Sequence, residues 1–424
     1  MSGENYTQDT ATLGADPEGD TSVTLSSALL VTPRWVRDGG VGAHVQASAA
    51  LLAREGLEIH VLAAQVEPGE AFGGVTIHTS PELFNADAPM DVRLGEAGSL
   101  QPSVTHLHQV DDAGVVQFMQ RLSPVVISAH GYTACTSGAY YFQPGEECTR
   151  GHGPGCVPNL MARGCAHAGN RKTMATMPRR YREVSRRLEA LRLADLAVSY
   201  STAVDRHLAA NGIEHRTIVP YFPTMAAKPG SGHDTRRRVV FAGRIVGSKG
   251  VDVLIRAARN VEAEFIICGE GRRLDDMRRL AEELGIGERV RFAGWLDADR
   301  LAEEFANASL VVIPSLWPEP FGLVGIEALA AGRPAVASST GGIVDWLEHG
   351  VSGLCVPPGD ESALAAALNE LLADPGMQQT MGAAGRRAVA ERFSPETHVT
   401  ALMNGYRGAR SRWRSGARLI TAHA

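Results

Sequence analysis

Alternating apolar strands and helices constrain the fold of this chain more than any other feature of its sequence. In the second half, most of the short apolar segments are followed within two residues by Gly or Pro. These predicted strands lie at residues 239–241, 264–268, 290–292, 310–313, 335–337 and 354–356. Helical patterns separate them at residues 251–260, 274–284, 299–306 and 362–373. Such alternation predicts a parallel sheet covered by helices.

The first half shows the same alternation less regularly. Strands are predicted at residues 28–31, 58–62, 104–108, 124–129 and 194–199. A glycine-rich turn at residues 38–42 precedes a predicted helix over residues 43–55, and a second helix is predicted over residues 180–193. Residues 130–178 show no clear period, which is typical of a long functional or mobile loop.

The sequence therefore predicts an α/β protein with two Rossmann-like, doubly wound domains that face a central cleft. Ligands of such sheets bind beyond the carboxyl ends of the strands. The predicted segments are an acidic disordered tail (residues 1–25), a first domain (26–228), a linker (229–235), a second domain (236–393) and a C-terminal helix (394–424). Ser394 is the predicted cap of that helix, with Pro395 at its first position.

Composition excludes several classes of protein. Hydrophobic residues make up 44% and charged residues 21% of the 424 residues, so the chain is not largely disordered. A net charge of -6 argues against a general nucleic-acid binder. The sequence has no signal-peptide pattern and no apolar run long enough to span a membrane, so the expected location is cytoplasmic.

One basic segment contrasts with this acidic whole. Residues 163–192 contain nine Lys or Arg and two Glu. This pattern is typical of a solvated helix, and it also fits a surface that meets an anionic acceptor or, peripherally, an anionic membrane.

Two carboxylates mark the segment of residues 318–332. Glu327 is the only charged residue between Pro320 and Gly332, and a carboxylate in such an apolar helix needs hydrogen-bond donors. A ribose diol supplies two. Glu319 lies between two prolines, outside the helix, and the backbone N–H groups at residues 322–324 would face an anion. A nucleoside diphosphate fits this set.

A second cluster follows the strand at residues 239–241. Arg244 and Lys249 lie in a glycine-rich turn, where both can reach one anion. The turn lacks the Gly-Lys-Ser/Thr ending of an ATPase loop, so a Walker-type site is not predicted.

Five segments together resemble a known family: residues 241–250, 269–271, 292–294, 311–315 and 319–332. They are similar to the donor half of retaining glycosyltransferases of the GT-B fold, family 4 (group 1). The resemblance covers most of residues 26–400 and is strongest in the second half.

The resemblance implies roles for individual donor-side residues. Glu327 would bind the ribose hydroxyls, Glu319 would hold hydroxyls of the donor sugar, and Arg244 and Lys249 would neutralise the departing diphosphate. The remaining donor-binding residues expected in this segment are Phe321, Gly322, Leu323 and Val324.

The resemblance also implies roles in the first domain. Gly39 and Gly40 would let the backbone approach the phosphates, and His130 would reach the donor sugar near the reacting carbon. Many members have an Asp after that His, whereas this chain has Gly131. The last helix is expected to cross back to the first domain, as the family's last helix does.

The predicted function is retaining transfer of a sugar from a nucleotide-diphosphate donor to an acceptor hydroxyl, without a metal or other cofactor. The expected catalytic residues are His130, Arg244, Lys249 and Glu319. A nucleotide-sugar epimerase of the same fold and a non-catalytic nucleotide-sugar binding protein are alternatives. A nicotinamide dehydrogenase is disfavoured because Gly39-Gly40-Val41-Gly42 is not the dinucleotide-binding pattern.

The cysteines leave one further alternative open. Cys148, Cys156 and Cys165 are 8 and 9 positions apart, wider than usual zinc-ligand spacings. Free thiols are favoured over a structural zinc.

Overall fold

A computed structural model describes residues 24–36, 39–67, 73–135, 148–162, 172–228 and 237–415. Most of the predicted acidic tail and the whole predicted linker lie outside these ranges. The described chain forms two parallel sheets, one of seven strands and one of six. The predicted fold class is confirmed.

The first sheet has the strand order β3-β2-β1-β4-β5-β6-β7. Its strands are β1 Ser27–Trp35, β2 Glu58–Val66, β3 Val75–Thr79, β4 Val104–His108, β5 Val125–Ala129, β6 Leu196–Ser199 and β7 Arg216–Ile218. Every residue of β4, β5 and β6 is buried, as expected of central parallel strands covered on both faces. The accompanying helices are α1 Gly39–Arg54, α2 Met90–Leu94, α3 Ala113–Met119, α4 Cys156–Ala162, α5 Lys172–Leu193 and α6 Thr202–Ala210.

The second sheet has the order β10-β9-β8-β11-β12-β13. Its strands are β8 Arg238–Ala242, β9 Glu264–Cys268, β10 Val290–Gly294, β11 Leu310–Ile313, β12 Ala335–Ser338 and β13 Gly353–Val356. Its helices are α7 Val251–Ala258, α8 Leu274–Glu283, α9 Ala298–Ala306, α10 Leu323–Ala330, α11 Glu361–Ala373 and α12 Pro375–Arg392. The strand order reverses between β8 and β11, which creates a crevice at that point.

Three sequence predictions about the first half were wrong. The region 130–178 contains α4 and the start of α5, where Pro158 and Pro178 interrupt the helical patterns. The short edge strands β3 and β7 were not predicted, because neither shows a clear strand pattern in the sequence. α1 begins at Gly39 and not at residue 43, because the glycine pair forms the first helical turn instead of a separate loop.

The last helix, α13 Pro395–Arg414, begins at the predicted cap, where the Ser394 side chain accepts a hydrogen bond of 3.1 Å from the Thr397 N–H. It packs against the first sheet, although α12 before it packs against α10 of the second unit. Long-range hydrogen bonds attach α13 to the first unit: Tyr406 Oη with His106 Nδ1 (2.7 Å), Arg410 Nη1 to Ser103 O (2.5 Å) and Trp413 Nε1 to Gln120 O (2.9 Å). The chain therefore crosses between the two units at residues 393–395.

The carboxyl ends of the two sheets face each other. The Thr202 N–H and hydroxyl, after β6, donate to the Asp345 carboxylate, after β12, over 2.7 and 2.5 Å. A Cβ at Gly40 would lie 2.9 Å from Leu323 Cδ1, so the first turns of α1 and α10 nearly touch. The cleft between the units is therefore lined by strand ends and helix starts.

Deletion of residues 395–424 should abolish cooperative folding of the first unit. The deletion removes Tyr406, which is fully buried, together with the long-range hydrogen bonds of α13, and it leaves His106 without its Tyr406 partner. Deletion of residues 416–424 alone, beyond α13, serves as the control and should leave the thermal unfolding transition unchanged. A stable, fully active protein without residues 395–424 would contradict this prediction.

Candidate functional site

A buried ion pair lies at the reversal point of the second sheet. Glu319 is 3% exposed, and Lys249 Nζ lies 2.7 Å from its Oε1. The Ser315 hydroxyl donates to the same carboxylate oxygen over 2.5 Å. A carboxylate this deeply buried requires such partners, so Lys249 and Ser315 fix the position of Glu319.

The turn that carries Lys249 depends on one glycine. Gly250 has a φ of 66°, and a Cβ at this position would lie 1.9 Å from the Pro314 carbonyl oxygen. Only glycine lets the β8–α7 turn approach the end of β11 this closely. Arg244, earlier in the same turn, has an exposed side chain. Arg244 and Lys249 thus lie on the same turn, but Lys249 is paired with the buried Glu319, whereas the Arg244 side chain is exposed.

Glu327 lies on α10, half-buried, with its Oε1 3.4 Å from the Thr224 hydroxyl. Burial raises the pKa of its carboxyl to about 7, and hydrogen bonds from the Thr224 hydroxyl and N–H oppose this increase. The Glu327 carboxyl therefore has few hydrogen-bond donors to offset its burial. A ligand diol would supply two and would favour the ionised form.

The start of α10 is held firmly in place. The Trp346 indole N–H donates to the Phe321 carbonyl over 2.7 Å, and the Phe321 side chain is 2% exposed. Phe321 therefore lies in the core and can reach a ligand only through its backbone. Gly322, Leu323 and Val324 are partly exposed and form the first turn of α10 and its cap, where N–H groups have no partner within the helix.

His130, at the end of β5, lies in a cluster of aromatic and imidazole rings. Its Nδ1 is 2.9 Å from the Tyr221 hydroxyl, and its Nε2 is 3.1 Å from His108 Nδ1. Its ring stacks on Tyr200, with centroids 4.8 Å apart. Both ring nitrogens thus have protein partners in this structure. The next residue, Gly131, lies beside Pro320, so this strand end faces the Glu319 segment.

The other predicted site residues are placed as follows. Gly39 and Gly40 begin α1, and Gly40 approaches Leu323 as described above. Cys148 and Cys156 are partly buried free thiols, and Cys165 lies outside the described residues. Within the described ranges, no group of three His, Cys, Asp or Glu residues is arranged to hold a metal ion.

Several residues of this region were not predicted from the sequence: Ser48, Thr224, Ser315, Tyr221 and His398. Except for Ser315, which lies four residues before Glu319, their contacts join positions far apart in the chain, for example Ser48 with His398. The sequence contains no local pattern that indicates such pairs.

The imidazole cluster should make folding stability depend on pH. Burial lowers the pKa of His398 to about 4. Burial, with repulsion from neighbouring imidazoles, lowers the pKa of His130 to about 3 and those of His44, His106 and His108 well below the ordinary value of 6.5. Since these groups bind protons more readily when unfolded, stability is full above pH 6.5 and falls as the pH decreases below it. Glu327 has the opposite effect, but it is one group against five.

The melting temperature should therefore fall steeply between pH 7 and pH 5. Each buried His contributes at most about 1.4 kcal/mol per pH unit in this range. Thermal unfolding at pH 7, 6 and 5 measures this slope, and His130→Phe should reduce it. An equal or higher melting temperature at pH 5 would show that the cluster is not buried in the neutral form.

Comparisons with known proteins agree on the fold. Residues 226–388 match the family described as glycosyl transferases group 1. Sucrose-phosphate synthase from Thermosynechococcus elongatus superposes with a TM-score of 0.68 at 20% identity, over 90% of this chain and 98% of that one. The Anabaena protein HepE, solved with UDP and glucose, gives a TM-score of 0.62 at 18% identity, over 89% and 98%.

Curated relatives are also glycosyltransferases by description. An uncharacterized glycosyltransferase of Methanocaldococcus jannaschii is 33% identical over 178 residues, which is 41% of this chain and 45% of that protein. The D-inositol 3-phosphate glycosyltransferase of Mycolicibacterium smegmatis is 29% identical over 93% of this chain and 92% of that protein. Residues 226–388, which include the Lys249–Glu319 pair and α10, thus match the glycosyl transferases group 1 family, on a chain with the GT-B fold.

Proposed function

We propose that this protein is a retaining glycosyltransferase that takes a sugar from a nucleoside-diphosphate donor. One observation carries the proposal: Lys249 pairs with Glu319 at the reversal point of the second sheet, directly before α10, and Glu327 lies on that helix. Cationic groups and N–H groups suit a diphosphate, and the two carboxylates suit hydroxyl groups. HepE, solved with UDP and glucose, supports a donor of this chemical class.

In the proposed mechanism, the diphosphate binds between the α10 N-terminus, Arg244 and Lys249. Lys249 then shares its charge between Glu319 and the phosphates, and Ser315 continues to hold Glu319. As the bond to the sugar breaks, negative charge grows on the diphosphate, and the cations and N–H groups stabilise it. Glu319 orients sugar hydroxyls and Glu327 the ribose.

Retention would follow from attack of the acceptor hydroxyl on the face from which the diphosphate leaves: the acceptor oxygen bonds to the sugar carbon, the bond from that carbon to the diphosphate breaks, and the hydroxyl proton passes to the departing diphosphate oxygen. This route needs no carboxylate nucleophile. The paired Glu319 is suited to holding hydroxyls and not to forming a covalent bond. His130, at the end of β5, would contact the sugar from the first unit, provided that one ring nitrogen exchanges its protein partner for the ligand.

The proposed acceptor is a hydroxyl compound that carries negative charge. The side chains of Arg179, Arg180, Arg182 and Arg186 on α5 are all exposed. Arg187, on the same helix, pairs with Asp111, which follows β4 closely. The relative described as acting on D-inositol 3-phosphate is consistent with an anionic acceptor. Peripheral contact of α5 with an anionic membrane and a cytoplasmic location stay predictions; no described helix combines the length and apolarity needed to cross a bilayer.

The two glutamates should have separable effects on nucleotide binding. Glu327→Ala removes hydrogen bonds to the ribose, and affinity for a nucleoside diphosphate should fall roughly 10-fold or more. Glu319→Ala frees the Lys249 ammonium, so the same nucleotide should bind equally or more tightly, whereas kcat should fall sharply because the sugar loses its partner. Calorimetry with UDP and other nucleoside diphosphates measures both effects. Loss of nucleotide affinity in Glu319→Ala, with full affinity in Glu327→Ala, would reverse the two roles.

Turnover should persist in a chelator, because Arg244, Lys249 and the N–H groups supply the positive charge in the proposed mechanism. We expect equal rates with EDTA and with added Mg²⁺ or Mn²⁺. Lys249→Met should abolish turnover in both conditions. Loss of activity in EDTA that a divalent cation restores would contradict the metal-independent mechanism.

A further inference from the structure

A chain of hydrogen bonds connects three separate elements beside the cleft. His398 Nδ1, in the first turn of α13, lies 2.8 Å from the Pro220 carbonyl oxygen. Its Nε2 lies 3.1 Å from the Ser48 hydroxyl on α1, and the same hydroxyl lies 3.3 Å from His44 Nε2. All three side chains are buried. We call these three side chains and the Pro220 carbonyl the hinge relay.

The hydrogen-bonding groups of the hinge relay determine which of its nitrogen atoms carry a proton. A carbonyl oxygen can only accept, so His398 carries its proton on Nδ1. Burial lowers the pKa of His398 to about 4, so at neutral pH its Nε2 is an acceptor and Ser48 donates to it. Ser48 must then accept from His44 Nε2–H. His44 Nδ1 is thereby left unprotonated, and it has no hydrogen-bond partner among the described residues.

The hinge relay lies where the chain passes between the two units. Pro220 follows β7, on the segment that leaves the first unit, and His398 follows the return crossing at residues 393–395. Ser48 and His44 lie on α1, whose first turn approaches α10. The hinge relay therefore joins both crossings to one helix at the cleft.

The hinge relay also leads to His130. The His44 ring lies edge-on to the ring of Tyr221, with centroids 4.5 Å apart, and Tyr221 directly follows Pro220. The Tyr221 hydroxyl is 2.9 Å from His130 Nδ1, and its ring packs against Phe321 at 5.1 Å. A shift of the Pro220 carbonyl would thus move the Tyr221 hydroxyl relative to His130.

We propose that His398 and Ser48 are positioning residues for sugar transfer: through Pro220 and Tyr221 they set the place of His130 relative to the donor segment. This inference rests on the proposed function. It assigns no contact with substrate to the hinge relay. Because Lys249, Glu319 and Glu327 lie on the second unit, the hinge relay should affect turnover and not the binding of the nucleotide alone.

The test compares His398→Ala, Ser48→Ala and the double variant with wild type. Each single change should lower kcat roughly 10- to 100-fold, as expected from a misplacement of about 1 Å. Affinity for UDP, or for whichever nucleoside diphosphate the wild type binds, should stay within about twofold of wild type. The double variant should be no worse than His398→Ala, because the two residues act in series.

Two further variants separate positioning from simple packing. His398→Asn keeps an amide N–H that can reach the Pro220 carbonyl, so it should recover part of the kcat lost in His398→Ala. Asn404→Ala, at an exposed position on the same helix, should behave as wild type. Wild-type kcat in both His398→Ala and Ser48→Ala would overturn the inference, as would equal losses of kcat and nucleotide-binding capacity. Failure of the wild type to bind any nucleoside diphosphate would instead refute the proposed function.

Discussion

The ion pair between Lys249 and Glu319 is the interaction on which the candidate site depends. Glu319 is buried, and a buried carboxylate carries a large desolvation cost unless a cation and hydrogen-bond donors lie beside it. Buried ion pairs contribute little net stability. The Lys249–Glu319 pair is therefore better explained by the positions in which it holds the two side chains than by a contribution to folding stability. It holds a cation next to the segment that leads into α10, where the proposed diphosphate would bind.

The surrounding backbone is shaped to allow this pair. Gly250 lets the Lys249 turn reach β11, and a Cβ at Gly341 would lie 2.2 Å from the Glu319 carbonyl oxygen. The backbone of the second unit thus holds the proposed donor site in place, whereas the first unit contributes a cluster of imidazole and aromatic rings, of which Tyr221 packs against Phe321. Since α13 belongs in sequence to the second unit and packs on the first, contacts near the crossings join the two halves, together with the Thr202–Asp345 hydrogen bonds in the cleft.

The fold could be predicted largely from the sequence, and the residues of the candidate donor side could be singled out, because both leave local patterns. Strand and helix periods, the single charge in an apolar helix and the glycine-rich basic turn lie within short windows of residues. The first residues of α1 and α5 were predicted wrongly, because glycine lies at the start of α1 and proline lies inside α5. The pairing of Lys249 with Glu319 and the contacts of His398 could not be predicted, because they join residues 70 and more positions apart.

The central claim is that a nucleoside diphosphate binds at the Lys249–Glu319 pair. A crystal structure of the protein with UDP, or with the nucleoside diphosphate that binds most tightly, tests it most directly. The account predicts phosphate oxygens within hydrogen-bond distance of Lys249 Nζ and the N–H groups at the start of α10, with the ribose hydroxyls on Glu327. A nucleotide bound at the carboxyl end of the first sheet, with the Lys249–Glu319 pair untouched, would contradict it.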